Sequence, residues 1–237
     1  TYNATLLLGL DTDTQDTSGE VISKADTDSI MELSEDKVFE TIKSYIGDYD
    51  QIPPMFSAIK IGGEKLYNLA RRGEVIERPA RHCRIIDITV TKMELPRVDL
   101  HVTCSKGTYI RTLCHDIGKD LGVGGCMEKL VRTKVERFSV EDSITLKQIE
   151  EFRDNNTLED YITPVDEMLE NYSKCMVSKG AEKLVYNGNI FTSGNTFLKM
   201  NHEDGQIVRV YTSEGEFIGL YKFNSEKQIY KPVKMFL

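Results

Sequence analysis

The sequence predicts a mixed α+β protein with a β-rich C-terminal part, and three observations carry that prediction. Strand-like alternation occurs in Val98-Asp99-Leu100-His101-Val102-Thr103, where apolar and polar side chains take turns. Helical spacing follows directly, with Ile110, Leu113, Ile117 and Leu121 on one face and Gly122 placed to end it. From Ile207 onward the apolar runs are short, rich in β-branched and aromatic residues, and separated by polar turns.

Taken in order, Thr1 to Leu10 reads as a strand, followed by a polar turn around Ser18-Gly19 and a returning strand at Glu20-Val21-Ile22. Asp11 to Asp16 has the look of a calcium loop, but Gln15 and Ile22 occupy positions that need oxygen ligands. Ser34 caps an amphipathic helix through Val38, Ile42 and Ile46, closed by Gly47. Ile52-Pro53-Pro54 interrupts regular structure, because proline lacks an amide donor and restrains the residue before it. Glu64 to Arg72 is a short helix ended by Gly73, with Tyr67 and Arg71 one turn apart. Cys83 to Leu95 and Val98 to Thr103 pair across Pro96-Arg97, and Thr108 is placed to cap the next helix. Thr145 to Arg153 and Ser178 to Tyr186 are further helices, and three strands close the chain at 207–211, 217–223 and 229–236. The domain seam is expected between Asp154 and Tyr172, giving domains 1–170 and 171–237.

Composition narrows the function. The chain has 237 residues, 40% of them apolar and 29% charged, as in ordinary globular domains. No apolar run approaches the ~18–20 residues of a membrane helix. The five cysteines are scattered without a Cys-X-X-Cys pair, which points to no disulfide framework, no zinc site and a reduced, cytoplasmic setting. The net charge is −8, yet Met55–Arg84 holds seven basic residues against three acidic, and Cys104–Arg137 seven against four. Such segregation is the footprint of a nucleic-acid-binding face on an acidic protein, and equally of a clustered solvated surface.

Tyr2–Asp16, Gln51–Arg71, Ser105–Arg111 and Leu130–Arg132 resemble, in that order along the chain, the motifs of pseudouridine synthases and most closely of the tRNA pseudouridine synthase B family. Ser105-Lys106-Gly107-Thr108-Tyr109-Ile110-Arg111 is similar to the family signature. Tyr2-Asn3-Ala4-Thr5, leading into Gly9 and Thr12-Asp13-Thr14-Gln15-Asp16, resembles its tyrosine motif. Gln51-Ile52-Pro53-Pro54-Met55-Phe56-Ser57-Ala58-Ile59-Lys60, with Gly63, Tyr67, Ala70 and Arg71, resembles its RNA-contacting insertion, here about 53–84. Leu130-Val131-Arg132 resembles the segment that closes the pocket.

The resemblance implies a mixed or antiparallel synthase sheet with flanking helices, plus a small C-terminal PUA-like β-barrel. It implies isomerisation of the T-loop uridine at tRNA position 55, by a monomer needing neither cofactor nor metal. Tyr2 is then the stacking and proton-handling residue and Arg111 the partner of the catalytic carboxylate. Tyr109 and Leu130 line and wall the pocket, while Lys60, Lys65, Tyr67, Arg71, Arg72, Lys106 and Arg132 contact RNA. One departure stands out. The family's aspartate lies in a Gly-X-Leu-Asp-Pro-X-Ala-Thr-Gly stretch before the tyrosine motif, and the sequence contains no such stretch. Asp11, Asp13 and Asp16 do not stand in that context, so the chain is expected to be a truncated synthase, inactive alone. The alternative is a non-catalytic RNA-binding or tRNA-folding module. A small-molecule enzyme using Cys104, Cys114 and His115 finds no supporting spacing.

Overall fold

The computed structural model describes residues 1–197 and 202–237. The chain divides into two compact units, Thr1–Ile144 and Thr145–Leu237.

The N-terminal unit carries strands β1 (Tyr2–Leu8), β2 (Leu10–Thr12), β3 (Val21–Lys24), β4 (Gly47–Gln51), β5 (Lys60–Ile61) and β6 (Glu64–Lys65). It continues with β7 (Arg81–Glu94), β8 (Arg97–Cys104), β9 (Gly125–Arg132), β10 (Lys134–Val135) and β11 (Phe138–Ser139). Its helices are α1 (Thr27–Met31), α2 (Glu35–Ser44), α3 (Leu66–Arg71) and α4 (Ile110–Asp120). Five strands form an antiparallel sheet in the order β4-β7-β8-β1-β9.

Alternation decides which sheet face is covered. Ala4, Leu6 and Leu8 of β1 and Val98, Leu100 and Val102 of β8 are buried, joined by Ile85 and Ile88 of β7. Against them lie Val38 and Ile42 of α2 and Ile110, Leu113, Ile117 and Leu121 of α4, in one apolar core. Helix α4 approaches β9 so closely that a Cβ on Gly118 would fall 2.3 Å from the Gly125 backbone nitrogen. Burying a leucine-sized side chain in such a layer contributes roughly 1.5–3 kcal/mol.

Several boundaries differ from the expectation. The α2 helix is capped by Ser34 as expected but ends at Ser44. Gly47 (φ +118) opens strand β4 rather than closing the helix. Glu64 and Lys65 leave the helix expected there and pair with β5 in a hairpin. Thr108 does not cap α4: Tyr109 is the N-cap, and the Thr108 hydroxyl donates to the Ser105 carbonyl at 2.9 Å. The insertion has its own small apolar cluster of Met55, Leu66 and Leu69.

The C-terminal unit begins with α5 (Leu146–Asp154), whose start is fixed by a capping box between Thr145 and Gln148. Beyond it come β12 (Ser173–Met176), α6 (Glu182–Tyr186) and β13 (Phe191–Thr192). The three expected strands follow as β14 (Ile207–Tyr211), β15 (Phe217–Asn224) and β16 (Ile229–Met235). The sheet order is β12-β14-β15-β16-β13, with β12 and β14 parallel. A bridge between Val177 and Thr196 links the segments beside its two edges, so the sheet curls on itself. Phe191, Tyr221, Phe223 and Tyr230 pack as a ring cluster inside it.

Candidate active site

The N-terminus of α4 gathers polar contacts from distant parts of the first unit. Strand β8 ends at Cys104, and the turn is pinned where the Ser105 amide donates to the Arg84 carbonyl at 2.8 Å. Gly107 (φ +86) supplies the left-handed residue that the reversal requires, with Lys106 exposed beside it. Tyr109 is extended (φ −97, ψ 109), and the helix starts at Ile110.

Arg111 sits on the first turn with 22% of its side chain exposed. Its Nη1 donates to Asp16 Oδ2 at 3.0 Å and to the Thr14 carbonyl at 3.2 Å, and its Nη2 to the Phe56 carbonyl at 2.8 Å. Asp16 also accepts from Thr14 Oγ1 at 2.8 Å and from the Ser18 amide at 3.0 Å. Burial pushes the Asp16 carboxyl up, but these donors and Arg111 together hold it below the ordinary aspartate range. The neighbouring Gln15 accepts from Thr112 Oγ1 at 2.7 Å, which ties the same loop to α4. The result is a fixed guanidinium aimed at carboxylate and carbonyl oxygens.

Tyr109 is held through its backbone. The Gln51 side chain donates to its carbonyl at 2.9 Å and accepts from its amide at 2.7 Å. A cavity of about 390 Å³ lies nearby, lined by Gln15, Met55, Phe56, Val75, Arg78 and His115 among others. On its wall, the buried His115 Nδ1 lies 3.3 Å from Asp11 Oδ1, within ion-pair range but without hydrogen-bond alignment. Among the described residues no group of three or more His, Cys, Asp and Glu side chains could hold a metal ion.

The remaining expected site residues fall into two further groups. Tyr2, at the start of β1, lies directly opposite Arg132 of β9, whose guanidinium is 5.4 Å from the tyrosine ring centroid. Leu130 lies opposite Ala4 on the same sheet face and is 41% exposed. In the insertion, Lys60 and Lys65 oppose one another across the β5–β6 hairpin. Lys65 Nζ and the Arg71 guanidinium lie 5.3 and 5.4 Å from the Tyr67 ring centroid. Arg72 is engaged elsewhere, bound to Glu64 at 2.6 and 3.0 Å and to Glu74 at 2.7 Å.

Sequence reading singled out Arg111 but not its partners. Asp16, Thr14 and the Phe56 carbonyl lie 95, 97 and 55 residues away, distances at which no local pattern signals a contact. Gln51 was legible only as part of the Gln-Ile-Pro-Pro stretch, with nothing to show that its amide clamps Tyr109.

The fold has solved counterparts. The whole chain superposes on a chain of a solved Cbf5–Nop10–Gar1 complex with TM-score 0.64 at 24% identity, covering 66% of that chain. It also superposes on one from an H/ACA RNP bound to a substrate RNA containing 2'-deoxyuridine, with TM-score 0.63 at 21% identity, covering 65% of that chain. This chain thus spans about two thirds of those chains' length. Residues 1–110 match the family model of the TruB family pseudouridylate synthase N-terminal domain, and 111–170 that of the tRNA pseudouridylate synthase B C-terminal domain. The tRNA pseudouridine synthase B of Lachnoclostridium phytofermentans is 46% identical over 206 residues, 83% of this chain and 67% of that protein. That of Clostridium tetani is 43% identical over 234 residues, 99% of this chain and 77% of that protein. The class is pseudouridine synthase. Within it, the chain belongs to the tRNA pseudouridine synthase B family.

Proposed function

We propose that this chain serves the conversion of uridine to pseudouridine in the T-loop of tRNA, at position 55. The reaction breaks the N1–C1' glycosidic bond, rotates the base and forms a C5–C1' bond; a proton leaves C5 and one is taken up at N1. Electrons balance without oxidation or reduction, so the chemistry calls for no redox cofactor. The target base must leave its stack, which costs a few kcal/mol, and aromatic stacking returns roughly 1–3 kcal/mol per base.

The observation that carries this reading is Arg111, a half-buried guanidinium fixed by three oxygen acceptors at the start of α4. Its role is to keep a reacting carboxylate ionised and oriented. Tyr2 stacks on the target base and handles its proton, with Arg132 across its ring. Tyr109 lines the pocket and Leu130 shields it from water. Lys60, Lys65, Tyr67, Arg71, Lys106 and Arg132 meet the RNA, the insertion gripping the T-arm, while Arg72 would meet it only by leaving Glu64 and Glu74. Residues 1–170 act as the catalytic domain and 171–237 as a PUA-like RNA-binding module, in a cytoplasmic monomer.

The 237 residues contain no Gly-X-Leu-Asp-Pro stretch to supply the nucleophilic aspartate, and by themselves they are expected to bind RNA without turnover. That same absence favours the second reading, a non-catalytic RNA-binding or tRNA-folding module. Tritium release from uracil-labelled T-loop RNA tests the first expectation. The purified chain should stay at background, and turnover by it overturns the assignment of the nucleophile.

A further inference from the structure

The geometry points to Gln51 as a positioning residue that sets the aim of Arg111 by clamping the backbone of Tyr109. This rests on the proposed isomerase reading and adds a residue to it.

Three observations support the clamp. Gln51 ends β4 and is 2% exposed, so its amide has no water to satisfy it. Both of its polar atoms face one residue: Nε2 donates to the Tyr109 carbonyl at 2.9 Å, and Oε1 accepts from the Tyr109 amide at 2.7 Å. An extended residue presents its N–H and C=O to the same side, as in the closely bonded pair of an antiparallel ladder. A carboxamide reproduces that partner, since it offers an N–H donor and a C=O acceptor side by side in one plane, as a peptide group does. The side chain thus acts as one rung of sheet added to an isolated residue.

What the rung holds is the entrance of α4. Tyr109 is the N-cap and has no side-chain cap of its own. Its carbonyl accepts the first helical bond, from Leu113 at 3.1 Å, as well as the Gln51 amide. Gln51 therefore satisfies the N-cap amide, as the returning half of a capping box would, and fixes the rotation of the first turn, on which Arg111 stands two residues later. The same chain segment reaches Arg111 a second time: five residues beyond Gln51, past Pro53 and Pro54, the Phe56 carbonyl accepts from Arg111 Nη2 at 2.8 Å. The segment 51–56 therefore grips both the backbone before Arg111 and its guanidinium. Two residues before Gln51 on the same strand, the Tyr49 hydroxyl donates to the Asp116 carboxylate, so β4 is braced against the middle of α4. Gln51 touches no reacting atom in this account. It acts through Tyr109 and Arg111.

The test compares wild type with Gln51→Leu and Gln51→Glu. Leucine matches the volume and removes both bonds; glutamate keeps an acceptor for the Tyr109 amide and, when ionised, loses the donor. Hydrogen exchange at the Tyr109 amide, in the chain as given, should speed up about tenfold or more in Gln51→Leu and less in Gln51→Glu. In an active form that carries the Leu-Asp-Pro segment, kcat should fall about 10- to 100-fold while tRNA Kd stays within about threefold. A merely structural glutamine would lower thermal stability and leave kcat unchanged at a temperature where the variant is folded. Unchanged exchange, or an unchanged kcat, overturns the proposal. Should Gln51→Leu fail to fold, Gln51→Glu decides by the same readouts. Absence of turnover in the active wild-type form would reject the isomerase reading instead, while Tyr109 exchange still decides whether Gln51 holds the turn.

Discussion

Arg111 on the first turn of α4 and Arg72 at the C-cap of α3 both meet carboxylates, yet their settings are opposite. The Arg111 side chain is 22% exposed and its acceptors come from three distant parts of the unit. The Arg72 side chain is 48% exposed and its acceptors, Glu64 and Glu74, are eight and two residues away. The first arginine ties the polar loop between β2 and β3, the Pro-Pro segment and α4 to one point. The second stabilises only its own neighbourhood, where ion pairs contribute little. The same division separates the cores behind them, since α4 packs into the main apolar layer and α3 has only the small cluster around Leu66. One region is built to hold a fixed geometry, while the other presents charge on a locally assembled platform.

Truncating one core side chain in each region should separate them most strongly. Leu113→Ala, at a fully buried position in the main layer, should lower global stability by about 2–5 kcal/mol in urea unfolding. Leu66→Ala, also fully buried, should loosen the insertion with a smaller global loss. Hydrogen exchange confined to 55–76 would mark the second case. Equal global losses would join the two regions into one cooperative core.

The Arg111–Asp16 pair comes next in size. Asp16 has a folded pKa held below its unfolded value, so its contribution is present above the unfolded value of about 3.9 and lost as pH falls through the folded one. Asp16→Asn should therefore cost about 1–3 kcal/mol at neutral pH, with the difference from wild type closing in acid. A constant difference across that range would mean that the charge on Asp16 does not matter.

How far these regions could be read beforehand follows from the range of their contacts. The α4 helix, its apolar face and the exit at Gly122 were legible because they depend on residues a few positions apart. The β7–β8 pair was legible for the same reason. Strands β4, β9, β12 and β13 were not, since each is short or mixed in pattern and is defined by a partner distant in sequence. The motif reading named Tyr2, Tyr109, Arg111 and Leu130 as site residues, but gave neither Asp16 as the partner of Arg111 nor Gln51 on Tyr109. Arg72 looked like a free cation because sequence does not show that Glu64 folds back over it.

That last point sharpens the binding side of the comparison and carries the smallest effect. Converting Lys60, Lys65 and Arg71 to Ala should weaken tRNA binding and flatten the salt dependence by about 0.7–0.9 log units per lost phosphate contact. Adding Arg72→Ala should change the slope little further, because its charge is already met by Glu64 and Glu74. A large additional change would show that the RNA displaces those carboxylates.

The central claim is that Arg111 serves chemistry and the insertion serves binding. Its most direct test is Arg111→Lys in an active form of the enzyme, with kcat and tRNA Kd measured on the same preparation. Lysine keeps the charge but cannot span Asp16, the Thr14 carbonyl and the Phe56 carbonyl together. The account predicts a fall in kcat of about 100-fold or more, with Kd within about threefold of wild type. A kcat near wild type, or a loss carried mainly by Kd, would contradict it.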